Sequence, residues 1–189
     1  MGLINFRTAS RGNPQGLSIT LEQAKAHCFI VPEDKTHDET LTRLILTAQD
    51  LLERDATIPY CFFKTQFEAV YTLDRGRLLL PKSPLKSVEK VETAMPMGEW
   101  AETDNYKVEF GDKFEYVELP YSKGQNEEMR ARVLFTAGEE SEDNIYISVK
   151  EAVANLVAEM FDNRGAATDK QMYESPIYRA ITSNIRRII

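Results

Sequence analysis

The side chains that most often carry catalysis are few in this sequence and lie in no catalytic pattern. The two histidines, His27 and His37, have no ligand-like companion at helical spacing. His27 adjoins Cys28, but neighbours on a helix point about 100° apart, so the two do not form a nucleophile–base pair. His37 precedes two acidic residues where a helix is expected to begin, which favours a capping role.

Short motifs for phosphate, zinc or a nucleophilic serine do not occur in the sequence. The acidic segment 138–144, GEESEDN, lacks the alternating ligand spacing of a calcium loop. Solvation accounts for the pair Glu127 and Glu128, which lies in a polar segment. We therefore predict no enzyme activity, no metal and no cofactor. An active site assembled only by folding leaves no linear motif, so an enzyme stays an open alternative.

Composition narrows the class of protein. The 189 residues include 23 basic and 30 acidic side chains, a formal charge of −7. Broad capture of nucleic acid needs a basic face, so this balance argues against it. Two cysteines make no disulfide framework and fit a reducing compartment. No stretch approaches the ~18 apolar residues of a membrane span, so no membrane association is expected.

The apolar period changes twice along the chain. Thr20, with Gln23 three residues on, predicts a capped short helix at about 21–28. Apolar residues of 41–52 repeat at spacings of three and four, which predicts an amphipathic helix. Residues 60–137 alternate in short β-like runs separated by turns. Residues 145–161 return to a helical stripe that ends near Gly165.

These patterns predict an α+β fold, in which a helical core carries an inserted small antiparallel β module of five or six strands. The helical core comprises the N-terminal helices and a long C-terminal helix. The predicted organisation is a flexible N-terminal arm at 1–16, a helical core at 17–59 and 144–165, a β insertion at 60–143, and a C-terminal tail or helix at 166–189.

The C-terminal segment differs in charge from the rest of the chain. From Arg164 to Ile189 there are five basic and two acidic residues, a local charge of +3, so the remainder carries −10. Ser175 and Pro176 predict a helix start, and isoleucines follow at spacings of three and four. A basic, isoleucine-rich end on an acidic body favours docking on another protein. A last helix folded back onto its own core is the alternative.

Seven segments, in order over roughly 17–165, resemble the head–tail connector (adaptor) proteins of tailed bacteriophages. They read ITLEQAKAHC at 19–28, HDETLTRLILTAQDLLERD at 37–55, KTQFE at 64–68, LPKSPLKSV at 80–88, NYKVEF at 105–110, VLFTAG at 133–138 and VAEMFDNRG at 157–165.

The resemblance implies a structural protein of the virion neck, made in the host bacterial cytoplasm. Such adaptors form a ring, usually twelve-fold, under the portal protein and join the capsid vertex to the stopper or tail. DNA passes through the lumen only as cargo. Two alternatives stay open: another neck or tail ring, such as a stopper or tail terminator, and a small β-barrel module that binds a ligand.

The resemblance also suggests which residues meet partners. Its C-terminal end implies a portal contact through Ile181, Ile185, Arg186, Arg187, Ile188 and Ile189. Possible contacts with neighbouring subunits or the tail are Lys82, Lys86, Arg43 and Arg54. Lys82 and Lys86 belong to a corner stiffened by Pro81 and Pro84, which cannot lie inside a central strand because proline donates no ladder hydrogen bond.

Overall fold

The computed structural model describes residues 2–11, 16–54, 58–73, 76–111, 115–120, 129–163, 176, 178–180 and 182–183. The chain divides into two compact units, each built from two chain segments. The β unit comprises Met1–Pro14 and Phe63–Gly138, and the helical unit comprises Gln15–Phe62 and Glu139–Ile189.

The helical unit includes α1 at Leu21–His27, α2 at Asp38–Arg54, a short 3₁₀ turn at Glu142–Asn144 and α3 at Ile147–Asp162, and its described residues between 176 and 183 are helical as well. Thr20 caps α1 as the sequence predicted. Its hydroxyl accepts from the Gln23 amide at 3.2 Å, and its own amide donates to the Gln23 side chain at 2.9 Å. This reciprocal box satisfies two amides that the first helical turn leaves without partners.

Helices α2 and α3 pack against each other along the predicted apolar stripes. The His37 ring meets the Phe161 ring edge to face at 5.3 Å, so the start of α2 lies at the end of α3. The core that they form buries Leu41, Ile45, Ala48, Leu52, Val149, Val153, Leu156 and Val157. Gln49 is buried among these residues. Its side chain accepts from the Ser18 amide at 2.7 Å and donates to the Gly16 carbonyl at 3.1 Å, which fixes the segment leading into α1.

The β unit contains two antiparallel sheets. Their strands are β1 at Gly2–Arg11, β2 at Thr65–Thr72, β3 at Arg77–Leu79, β4 at Leu85–Ala94, β5 at Ala101–Glu102, β6 at Lys107–Phe110, β7 at Glu115–Glu118 and β8 at Arg130–Ala137. The larger sheet has the order β1-β2-β8-β4-β5, and the smaller one has the order β3-β7-β6. Both sheets are open at their edges, so the described strands do not form the closed barrel of the ligand-binding alternative.

The α+β class with antiparallel sheets is confirmed, but the proportions differ from the prediction. Among the described residues, seven strands lie within 60–137 where five or six were expected, and β1 adds an eighth, so the structure is rich in strand. The β unit takes residues from both sides of the first helical segment, so it is more than a small insertion at 60–143.

The prediction of a flexible N-terminal arm is wrong for residues 2–11, which form strand β1. β1 pairs antiparallel with β2 along its length, with Gly2 opposite Thr72 and Arg11 opposite Thr65. Three aromatic rings in contact explain the docking of this polar segment. Phe6 lies 5.3 Å from Phe67, and Phe67 lies 5.6 Å from Phe135 on β8. Such aromatic pairs stabilise neighbouring strands beyond the area that they bury.

Candidate docking surfaces

No group of three or more histidine, cysteine or acidic side chains suited to a metal ion occurs among the residues that the structure describes. In that same part of the chain, no helix is both long and apolar enough to cross a bilayer.

The residues predicted to contact a portal, Ile181, Ile185, Arg186, Arg187, Ile188 and Ile189, lie outside the described residues. Described helical residues beside them in the sequence are anchored on their own unit. Tyr178 is buried, and its hydroxyl donates to the Leu51 carbonyl of α2 at 3.5 Å. Thr182 is buried as well. The segment therefore begins as part of the helical unit.

The corner at 80–85 is stabilised by two hydrogen bonds to one carboxylate. Glu115 of β7 accepts from the Ser83 hydroxyl at 3.2 Å and from the Leu85 amide at 3.3 Å. Lys82 is only 9% exposed, so its side chain offers little surface to a neighbour. Lys86 is exposed on β4. Both lysines take part in interactions within the chain, and a subunit contact through either stays a prediction.

Arg43 and Arg54, the other two residues predicted to meet neighbours, are both exposed on α2. Arg54 pairs with Asp50 one turn earlier, at 2.8 Å between its guanidinium and the carboxylate. An exposed pair of this kind contributes little to stability, so Arg54 stays available to a neighbouring charge at small cost. Contact with a neighbouring subunit or the tail stays a prediction for both arginines.

The segment MPMGEW at 95–100, one of the turns predicted between the short strands, forms a tight turn between β4 and β5. Gly98 donates its amide to the Met95 carbonyl at 3.0 Å, and Pro96 occupies the position that a β-turn favours for proline. Arg130 donates to the Pro96 carbonyl at 3.1 Å, which ties the turn to β8. The turn presents Met97, whose side chain is 100% exposed. Methionine adapts to irregular partner surfaces, so this turn is a candidate contact point.

The only tryptophan of the chain, Trp100, follows this turn, so its fluorescence is a probe of the structure there. The guanidinium carbons of Arg132 and Arg130 lie over its ring at 4.7 and 5.4 Å. Glu92, opposite Arg132 in the sheet, accepts from the Arg132 guanidinium at 2.6 Å and pairs with Lys90 at 2.9 Å. Hydrogen bonding to Lys90, followed by that to Arg132, lowers the pKa of Glu92 below its usual 4.5.

We expect Glu92→Gln to lower the stability of the β unit at pH 7 by about 1–2 kcal/mol, because it removes a charge-assisted hydrogen bond. A carboxylate with a depressed pKa stabilises the fold above its unfolded pKa, and this contribution disappears as the pH falls through the folded value. The two proteins should therefore converge in stability below about pH 4.5. Urea unfolding followed by Trp100 fluorescence at pH 7 and at low pH checks this. A difference in unfolding free energy between the two proteins that is the same at both pH values would contradict this prediction.

A feature that sequence reasoning missed is Phe29, which ends α1 in a strained conformation. The Ile30 amide donates to the Lys25 carbonyl at 2.9 Å, and the Phe29 amide donates to the Ala26 carbonyl at 3.3 Å. These bonds form a Schellman motif, whose left-handed position is usually glycine. Here that position is Phe29, with φ 54°. The Phe29 side chain is 98% exposed, so no packing within the described residues offsets the strain.

The loop after Phe29 is fixed in place by a buried cation. Lys25 is only 4% exposed, and its ammonium group donates to the Pro32 carbonyl at 3.0 Å and pairs with Asp38 at 2.6 Å. Asp34 accepts from the Thr36 amide at 2.8 Å, and hydrogen bonding to Thr36 lowers the pKa of Asp34. The loop is therefore ordered and carries negative charge beside its exposed Phe29 and Val31.

Charge is partitioned between the two units. Residues 15–62 and 139–163 of the helical unit hold 15 acidic and five basic side chains, a formal charge of −10. The β unit holds 13 of each and is neutral. The excess negative charge that the sequence assigns to the body of the protein thus belongs to the helical unit.

No protein-family model matches the sequence, and no curated protein matches it. Solved structures do match in fold. A chain from the "Neck of empty GTA particle computed with C6 symmetry" has a TM-score of 0.68 at 17% identity. A chain from the "Virion of native gene transfer agent (GTA) particle" has a TM-score of 0.69 at 16% identity. A chain from the "Neck of native GTA particle computed with C12 symmetry" has a TM-score of 0.61 at 17% identity.

Each of these comparisons covers 97% of this chain and 95% of the other, so the likeness extends over both units. At this level of identity, the comparisons concern the fold. They agree with the resemblance to head–tail connector proteins that seven segments of the sequence carry. The chain therefore shares its fold with chains from the necks of gene transfer agent particles.

Proposed function

We propose that this chain is a structural adaptor in the neck of a tailed, phage-like particle. It forms a ring of identical subunits under the portal protein and joins the capsid vertex to the stopper or tail. The single observation that carries the proposal is a fold shared over 97% of the chain with structures of particle necks. Neck structures with C6 and C12 symmetry support a ring, and we infer twelve subunits.

The helical unit is the core of the protomer in this proposal, and the β unit faces outward or toward the tail. The formal charge of −10 on the body of the helical unit suits a conduit for DNA, because few cations are available there to hold phosphates. DNA passes as cargo and is not a ligand. The protein is made in the bacterial cytoplasm and works in the virion, with no catalytic role.

The portal contact is assigned to the end of the chain. The segment 184–189, NIRRII, combines two arginines with three isoleucines, and it directly follows residues that are anchored on α2. In this position, the isoleucines enter apolar clefts of the portal, and Arg186 and Arg187 pair with its acidic groups. A desolvated arginine pair and buried aliphatic anchors carry most of the binding energy in such an interface.

A truncation tests this assignment. Removing only 184–189 keeps Tyr178 and Thr182, which are buried in the helical unit. Deleting the whole segment 176–189 would remove these two buried side chains as well. We expect the truncated chain to fold normally and to bind purified portal rings at least about 30-fold more weakly, since several anchors are lost. Surface plasmon resonance on immobilised portal measures this, with circular dichroism as the check of folding.

The matched control is Arg179→Glu, which reverses a charge in the same segment at an exposed described position. It should bind portal within about threefold of the unchanged chain, because a single rim charge has a small effect. Portal binding that survives removal of 184–189 would reject the docking assignment. Failure of the unchanged chain to bind portal, with binding to a tail protein instead, would favour a stopper or tail terminator.

A further inference from the structure

The strained Phe29 has no structural benefit within the described residues. A bulky residue in the left-handed region destabilises the folded chain, and glycine would fit the same backbone without strain. A ring that is 98% exposed also loses the hydrophobic stabilisation that a buried ring would provide. Burial of the ring against another molecule would recover the hydrophobic stabilisation and offset the backbone strain, so the conformation points to a docking function.

The surroundings of Phe29 are prepared for docking. The buried ammonium group of Lys25 holds the Pro32 carbonyl and Asp38, so the loop that bears Phe29 and Val31 needs little ordering on binding. Exposed Val31 extends the apolar patch. A protruding aromatic ring on a rigid loop is the kind of anchor that dominates the energy of protein interfaces.

Charge indicates which surface receives this patch. Glu33 and Asp34 are exposed beside Val31, and the body of the helical unit carries −10. Contact between the same patch on two copies would bring like charges together and is disfavoured. The β unit is neutral and carries exposed apolar residues of its own, among them Ile4 and Met97. Contact between two different surfaces of one chain is the arrangement that closes a ring.

We propose that Phe29 and Val31 dock on the β unit of a neighbouring copy of this chain and form the contact that closes the ring. The inference rests on the proposed function, because only a ring of identical subunits calls for such a contact. Beyond the proposed function, the inference names the residues that make the contact between subunits and the unit on which they dock.

Phe29→Gly tests the contact because it moves stability and assembly in opposite directions. We expect the midpoint of thermal unfolding to rise by about 2–4 °C, since glycine relieves the backbone strain. We expect self-association, measured by sedimentation velocity up to about 1 mM, to weaken at least tenfold. Phe29→Leu is the matched control: it keeps both the strain and an apolar side chain, so it should show no rise in the midpoint and at most a threefold loss.

A photo-crosslinking amino acid in place of Phe29 identifies the occupant. In concentrated protein or assembled necks, we expect a dimer of this chain with the crosslink on the β unit. A crosslink to another protein, a Phe29→Gly variant that associates normally, or an unchanged chain that never associates would each overturn the inference. Portal binding by Phe29→Gly distinguishes the ring contact from the proposed adaptor function, because the proposed portal contact does not involve Phe29. Retained portal binding with normal self-association would reject only the ring contact.

Discussion

Gly138→Ala should destabilise the chain by about 4 kcal/mol or more, among the largest effects of any single substitution. Gly138 follows β8 with φ +107°, a conformation that residues with a Cβ atom rarely adopt. An added Cβ would overlap the Phe63 carbonyl oxygen and lie 3.0 Å from the Lys64 amide nitrogen. Both contacts involve backbone, so neither is relieved by turning a side chain.

The same glycine also holds the proline corner, because its amide donates to the Pro84 carbonyl at 2.9 Å. Displacing Gly138 would therefore disturb the start of β2 and the start of β4 together. Urea unfolding followed by circular dichroism measures the loss of stability. Gly98→Ala is the control: its Cβ would meet Met95 at an ordinary 3.4 Å, and we expect a change within about 1 kcal/mol. A Gly138→Ala protein that loses less than about 1 kcal/mol would contradict the geometry at this turn.

Phe67→Ala should cost about 3–5 kcal/mol and release the N-terminal strand first. Phe67 is buried on β2, between β1 and β8 of the larger sheet, and its ring joins Phe6 on β1 to Phe135 on β8. Removing it leaves a cavity and takes away the ring on which Phe6 stacks. Hydrogen exchange of residues 2–11 should rise before that of β8.

Val70→Ala is the matched control for this prediction. Val70 lies on the same strand but on the opposite, half-buried face, and we expect a loss of about 1 kcal/mol or less. Rapid exchange throughout residues 2–11 in the unchanged chain would show that β1 is not formed. Unaltered protection of β1 in the Phe67→Ala protein would show that the aromatic stack does not hold it.

Local patterns predicted the elements that depend on neighbours in sequence. The stripe of Leu41, Ile45 and Leu52 predicts the buried face of α2 because helical spacing repeats within a few residues. The Thr20 box predicts the start of α1 for the same reason. Alternation at 65–72 predicts β2, whose buried and half-buried residues do alternate.

Features that depend on distant partners were not predictable in this way. The sequence of β1 is polar and turn-rich, and its partner strand lies about sixty residues away. No local pattern therefore predicts the pairing. The amino-acid sequence shows an aromatic residue at position 29 but does not show that it occupies the left-handed end of a helix. The neutral β unit and the acidic helical unit are each assembled from separate segments, so their charges emerge only after folding.

The central claim is that copies of this chain form a ring in the neck of a phage-like particle. The most direct test is cryo-electron microscopy of particle necks from cells that produce this chain with an added tag, imaged with a tag-specific antibody fragment. The account predicts labels in a closed ring, twelve per particle, between the portal and the tail. A label that is absent from the neck, or present as a single copy with no rotational symmetry, would contradict it.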